Sequence, residues 1–520
     1  MVRSSVFFTY GVQIYSALIS VMLIPIYVAK VGVEGFGLIG FFYLLQNVMQ
    51  VFDAGLGGSL ARQASVTKKN SILYSKFIKQ FMVVVAIFFI VSSAVFVLGA
   101  VNREIVAEKW LVSNLDMSVL SLSVLSIFSI LSLRYLSGPF RSGLIGLERH
   151  MPLSIINFFI VSLRFPGGLV VLFQYENSLV AYFIYQIFVA LFELIILILY
   201  FVQQSKKILL SDKIEIDLQQ NHTSLKSLLL FSGQLSLLSV TWVVVSQIDK
   251  LVLSKYINLE EFGYYSMAVS VSAVIMMFSA PLSQILMSRL TVLITSHKKN
   301  EYISLYAKSY TNVVICLVPV SVFLYVFSED VIFLWTGDEK IALLSSFYTS
   351  WLVLGNVISV LMTLVFLLQY SVGRLKAHTT VYLVYSIFII PLSVIIAQQF
   401  KGEGAVLFWF LHNLILFVVW GGMVHYKFIN GFNGYLWFRV LMPTYIISYA
   451  LMKTLDGFIN LQDMTGFYLF ITLLFISGVG LAGVLLYFYL YRENNKVSLN
   501  KVEFTDDFFS MESGLKSGRL

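Results

Sequence analysis

Residues 38–65 read LIGFFYLLQNVMQVFDAGLGGSLARQAS. The first half is apolar enough for lipid, yet it carries Gln46 and Gln50 and runs on into Asp53, glycines and Arg62. At 100° per residue, Tyr43, Gln46, Gln50, Asp53 and Gly57 fall within one narrow arc of a helix. A charge in the hydrocarbon region costs at least ~2.5 kcal/mol, so such a stripe belongs on a cavity or a partner. The stretch reads as a membrane-spanning helix with a polar line along it, closed by a basic loop.

The rest of the chain has the same character. Its 520 residues are 58% hydrophobic and 12% charged, with a mean hydropathy of +0.86. That balance excludes a water-soluble globule and points to an all-α polytopic membrane protein. The single cysteine, Cys316, lies in an apolar run, so a disulfide framework is excluded and a small buried hydrophobe is expected. The run from about Val6 to Ala29 is too long for a signal segment and reads as a retained first span.

A span needs ~20 mostly apolar residues. Fourteen candidates are centred near residues 18, 46, 90, 128, 164, 191, 238, 274, 318, 357, 389, 414, 448 and 478. Assigned to alternate sides, 25 of the 35 Lys and Arg residues fall on one side and 8 on the other, with Arg134 and Arg164 inside spans. The bias places both termini in the cytoplasm. In that count Arg141 belongs to the basic loops, not to a span.

The chain also repeats itself. VEGFG at 33–37 returns as LEEFG at 259–263, and FDAGL at 52–56 returns as FSAPL at 278–282, both 226 residues on. Six spans separate the copies, so both insert in the same orientation as a parallel repeat. The expected organisation is an N-terminal lobe at 1–203 (spans 1–6), a cytoplasmic linker at 204–226 and a C-terminal lobe at 227–425 (spans 7–12). Two extra spans at 426–491 and a cytoplasmic tail at 492–520 complete it.

Further polar lines appear by the same phase test. Ser154, Asn157, Arg164 and Gly168 align in the fifth span, and the PGG at 166–168 is expected to unwind the helix beyond them. Tyr182, Gln186, Glu193 and Tyr200 align in the sixth, and Ser246, Gln247 and Lys250 in the seventh. Arg134 and Arg141 lie two turns apart on one face of the fourth. The charge is lopsided: the second lobe holds only His412 beside Asn413 well inside a span, which reads as a packing residue. Two arginines in a low-dielectric cavity suit a phosphate or carboxylate, which guanidinium binds bidentately. An Arg164–Glu193 pair that merely ties two spans together is the structural alternative.

Candidate substrate-binding residues are therefore Arg134, Arg164, Asn157, Gln46, Gln50, Gln186 and Lys250. Candidate coupling or gating residues are Asp53, Glu193, Arg62 and Asp249. GxxxxGK[ST], HExxH and GxSxG motifs are all absent. We expect no catalytic residue, no metal site and no cofactor, hence not an enzyme, and the basic residues do not imply nucleic acid.

The opening span ending IPIYVAKVGVEGFG, the stretch VFDAGLGGSLARQAS, the loop GLIGLERHM and the segment IDKLVLSKYINLEEFGYYSMAVSV together resemble polysaccharide-repeat-unit (O-antigen-type) flippases. These are bacterial transporters of the multidrug/oligosaccharidyl-lipid/polysaccharide exporter superfamily. The resemblance implies a two-lobed helical transporter in the inner membrane, working by alternating access and coupled to a H+ or Na+ gradient. It implies a polyprenyl-pyrophosphate-linked oligosaccharide as substrate and membrane lipids as surroundings. It also implies pathway partners such as polymerase and chain-length proteins of lipopolysaccharide or related synthesis. A small-molecule drug exporter of the same superfamily and a membrane glycosyltransferase or polymerase stay open as alternatives; the cationic first lobe argues against the first, and short loops with duplicated lobes argue against the second.

Overall fold

The computed structural model describes residues 2–210, 225–459, 461, 464, 466–491 and 502–505; side chains at 2–7, 50–55, 225–239, 280, 281 and 284 are outside the description. The side chains of Gln50 and Asp53, and most of the expected linker and tail, therefore lie outside the description.

Almost all of the described chain is helical, as a backbone surrounded by lipid must be to satisfy its own hydrogen bonds. In order, the helices are α1 (Val2–Met22), α2 (Ile24–Thr67), α3 (Ser71–Ile105), α4 (Met117–Gly146), α5 (His150–Ser162), α6 (Gly168–Gln174) and α7 (Leu179–Leu209). They continue as α8 (Leu225–Tyr256), α9 (Leu259–Met276), α10 (Ser279–Thr295), α11 (Lys299–Val326), α12 (Ser328–Thr336), α13 (Glu339–Ser371) and α14 (Leu375–Leu416). The last are α15 (Gly422–Phe428), α16 (Phe432–Tyr435), α17 (Met442–Phe458) and α18 (Gly466–Leu490). Two short strands, β1 (Ile429–Asn430) and β2 (Glu503–Phe504), pair antiparallel.

Each of the fourteen expected centres falls in a helical segment. Among the described residues, nine helical stretches are long and apolar enough to cross a bilayer. One of the nine, Leu375–Phe428, contains two of the centres. They are parted without a loop, by a single break at Lys401 (φ 49°, ψ −139°). Gly32 does the same inside α2. Its φ of 73° with ψ of 169° is a conformation open essentially to glycine alone, so the chain turns there from the first span into the second. Cys316 is exposed on α11, contrary to expectation, because on a lipid-facing surface a thiol need not be buried.

The chain packs as two compact units: Met1–Gly263 with Tyr382–Gln398, and Tyr264–Val381 with Gln399–Leu520. The expected lobes were defined by repeated sequence and these units by packing, so α8 groups with the α2 against which it packs. The core of the first unit is an aromatic column between α3, α4 and α7. Phe81 stacks on Phe201 at 4.4 Å between ring centres, and Phe88 on Tyr135 at 4.6 Å.

The repeat has a structural counterpart within the first unit. A Cβ placed on Gly37 would lie 2.1 Å from the Leu259 carbonyl oxygen, and one on Gly263 would lie 2.2 Å from the Val33 carbonyl oxygen. Val33 and Leu259 occupy the same place in the two copies, as do Gly37 and Gly263. The contact is thus reciprocal, as expected where equivalent segments cross on a local twofold axis. Asn258, which stands where the first copy has Gly32, caps α9 by accepting from the Glu261 N–H at 2.7 Å.

Beyond the ends of α2 and α4, Lys68 and Glu148 pair at 2.7 Å. The hydrogen bond and charge of Lys68 hold the Glu148 carboxyl below the usual carboxylate range. A lowered carboxylate adds stability above its unfolded pKa and loses it as the pH falls through the folded value. Because Glu148 is largely exposed, Glu148→Gln is expected to cost no more than about 1 kcal/mol. Thermal unfolding at neutral pH and at a pH below the carboxylate range should show that small loss only at neutral pH; a loss independent of pH would refute the ion-pair account.

Candidate functional site

A cavity of about 690 Å³ opens inside the first unit. Five parts of the chain line it: α1, α2, α4, α7, and α5 together with the turn that follows it. The polar wall is built from Gln46 on α2, Arg134 and Arg141 on α4, Asn157 on α5, Arg164 just beyond it and Glu193 on α7. Three guanidinium groups thus face one carboxylate.

That carboxylate is shared by two of the three, Arg141 and Arg164. Arg141 donates from Nη2 to Glu193 Oε1 at 2.5 Å and from Nη1 to Asn157 Oδ1 at 2.6 Å. Arg164 donates from Nη2 to Glu193 Oε2 at 3.2 Å. Arg134 donates from Nη1 to Gln46 Oε1, and its guanidinium carbon sits 5.1 Å from the centre of the Phe42 ring. Three guanidinium N–H groups remain buried with no hydrogen-bond partner: Nε and Nη2 of Arg134, and Nε of Arg164. Buried donors are nearly always paired, so these three mark a place for an acceptor. On a guanidinium, Nε–H and Nη2–H form one edge that takes two oxygens of a phosphate or carboxylate together.

Local sequence explains how Arg164 is aimed. Pro166 supplies no N–H, and the helix widens into one π turn over Leu163–Gly167 before α6 resumes. The expected unwinding is therefore a π turn instead, because side chains from neighbouring helices take up carbonyls there. Tyr185 donates to the Leu163 carbonyl at 3.0 Å, Gln186 to that of Arg164 at 2.8 Å and Tyr27 to that of Phe165 at 2.7 Å. Gln186 is fully buried and lies outside the cavity lining. It holds the backbone that carries Arg164.

Of the sequence candidates, Gln46, Arg134, Asn157, Arg164 and Glu193 are brought together. Lys250 and Asp249 are not among them. On α8 they pair with each other at 3.5 Å, and Lys250 also donates to the Ser246 carbonyl at 2.9 Å. Arg62 is exposed on α2, outside the lining. Asp53 and Gln50 lie on α2 with side chains outside the description. His412 is buried in the second unit against Phe408 and Trp409, as a packing residue would be.

Arg141 is the residue the sequence analysis missed. Counting it among the loop charges moved it out of the membrane, although its seven-residue spacing from Arg134 already put both on one face. Thr9, Gln13 and Ser16 of α1 also line the cavity and carried no charge signal. Thr9 bonds Ser154 and Tyr15 bonds Ser162, each at 2.9 Å, which fastens α1 to α5 beside the site.

A family model described as polysaccharide biosynthesis protein matches residues 2–289, more than half of the chain. Among solved structures, the chain is similar to one described as lipid II flippase MurJ in an inward closed conformation. The match has 15% identity and a TM-score of 0.61, covering 93% of this chain and 99% of that one. It is also similar to an inward-facing multidrug resistance MATE family transporter of the MOP superfamily, at 12% identity and a TM-score of 0.59, covering 78% of this chain and 94% of that one. A third is a MOP superfamily transporter from Pyrococcus furiosus Vc1 (DSM3638), described as having a binding pocket of reverse polarity. It matches at 13% identity and a TM-score of 0.50, covering 81% of this chain and 94% of that one. At such identities the likeness is one of fold. No curated protein matches in sequence.

Proposed function

The chain belongs to the polysaccharide biosynthesis protein family, and from that premise we propose that it is a flippase for a polyprenyl-pyrophosphate-linked oligosaccharide. In this reading it carries an O-antigen-type repeat unit from the cytoplasmic to the periplasmic leaflet of the bacterial inner membrane by alternating access. Both termini are then cytoplasmic, as the charge bias requires.

One observation carries the reading: three arginines and one glutamate line a cavity inside a multi-pass membrane protein, and three guanidinium N–H groups there are buried and unpartnered. Such an excess is costly in a low dielectric unless an anion completes it. A pyrophosphate bridge offers the charge and the oxygens, and guanidinium edges receive them bidentately. Gln46 and Asn157 orient the arginines through their amide oxygens. Arg134, Arg141 and Arg164 are assigned to the anion, and Gln186 to positioning Arg164. We assign coupling to a H+ or Na+ gradient to Glu193 and Asp53; Lys250, Asp249 and Arg62 lie outside the cavity lining and take no part in this anion site. A cationic drug would meet like charge in this cavity, which disfavours the exporter alternative.

Deleting the gene and locating the lipid-linked sugar tests the reading. Complete repeat units held on the cytoplasmic leaflet are the expected result. Normal translocation with unpolymerised units outside would indicate a polymerase, and a trapped cell-wall lipid precursor would redirect the substrate assignment.

A further inference from the structure

We propose that Glu193 is an internal counter-anion, which competes with the transported anion for Arg164 and Arg141 and so keeps binding weak enough for release. The proposal rests on reading the cavity as an anion site.

The hydrogen bonds show how the competition works. Glu193 places one oxygen on each of two arginines, Oε1 on Arg141 and Oε2 on Arg164. On Arg164 it uses only half of the receiving edge: Nη2 is engaged at 3.2 Å and Nε is left buried without a partner. An oxyanion binding that edge bidentately needs both N–H groups and must displace Oε2. On Arg134 the whole Nε/Nη2 edge is buried and without a partner, because Gln46 takes only Nη1. A diphosphate bound here would therefore have one unpartnered edge to fill, on Arg134, and one half-engaged edge, on Arg164. Arg141 is more fully occupied, with Asn157 on Nη1 and Glu193 on Nη2. When Oε2 is displaced, Oε1 keeps Glu193 on Arg141, so the carboxylate stays beside the site.

A carboxylate placed this way does two things. In the empty protein it neutralises one buried guanidinium charge that would otherwise be stranded. In the loaded protein it repels the bound anion at short range and reclaims Arg164 as the anion leaves. Tight binding alone does not speed transport, since a ligand that is not released blocks the cycle.

Calorimetric titration of the full-length protein in lipid nanodiscs with inorganic pyrophosphate tests this. Glu193→Gln is expected to bind about tenfold more tightly than the wild type, the effect of ~1.4 kcal/mol of relieved competition. The same variant should deliver less lipid-linked sugar to the outer leaflet. Glu193→Asp keeps the charge but is one methylene shorter, cannot bridge both arginines, and is expected to fall between. A purely structural role predicts that binding and transport fall together, and that result would overturn the proposal. So would equal binding in wild type and Glu193→Gln, or failure of both variants to fold. Absence of pyrophosphate binding to the wild type, or unchanged binding in Arg134→Ala and Arg164→Ala, would instead overturn the underlying anion-site reading.

Discussion

Arg164→Ala is expected to reach the membrane at the wild-type level and to lose transport almost completely. The substitution removes the half-open receiving edge and leaves Glu193 with Arg141 as its remaining ion-pair partner. Truncating one member of a buried, hydrogen-bonded charge pair costs about 2–5 kcal/mol. That corresponds to between roughly 30-fold and several thousand-fold in affinity for the anion. Arg164→Lys preserves the charge without the paired N–H edge and should give an intermediate loss. The measurement is lipid-linked sugar on the outer leaflet per unit of protein in the membrane. Normal transport by Arg164→Ala would remove this residue from the substrate path and leave its contact with Glu193 as a tie between helices.

The second large effect is expected outside the cavity, at residues that do not line it. Gly37→Ala and Gly263→Ala each drive a methyl group into a backbone carbonyl oxygen, at 2.1 and 2.2 Å respectively. No rotamer relieves a clash with main chain, so the crossing segments must separate. Overpacking of this kind costs about 1–3 kcal/mol, and Gly37→Leu should cost more. Because both alanines act on one crossing, the double variant should lose less than the summed single losses. Unfolding temperature in detergent, read for both single variants and the double, decides the matter. A wild-type unfolding temperature for Gly37→Ala would show that the contact yields easily. Strict additivity would show that the two glycines do not share one crossing.

These two expectations differ in how far the sequence announced them. Arg164 and Glu193 were conspicuous from composition and helical phase, since a charge inside an apolar run is costly and therefore informative. Gly37 and Gly263 were visible only as matched letters in two repeated motifs. Their reciprocal close approach is a property of two backbones and leaves no periodicity to read. Arg141 shows the opposite failure. The alternation rule treats a charge near a span end as a loop charge, whereas α4 continues past it to Gly146 and turns it toward Glu193.

From the amino-acid order alone came the membrane class, the candidate spans, the repeat, and the face of each helix that carries polar groups. All of these are local, because a lipid-buried backbone must close its hydrogen bonds within the segment and side chains then follow a 3.6-residue period. Which polar faces converge was settled by packing. Glu193 meets Arg141 across 52 residues, and Arg134 meets Gln46 across 88. Phase within one helix says nothing about its rotation relative to another. Only the packed arrangement turned four separate stripes into one cavity, paired its carboxylate with two arginines, and left three buried N–H groups open.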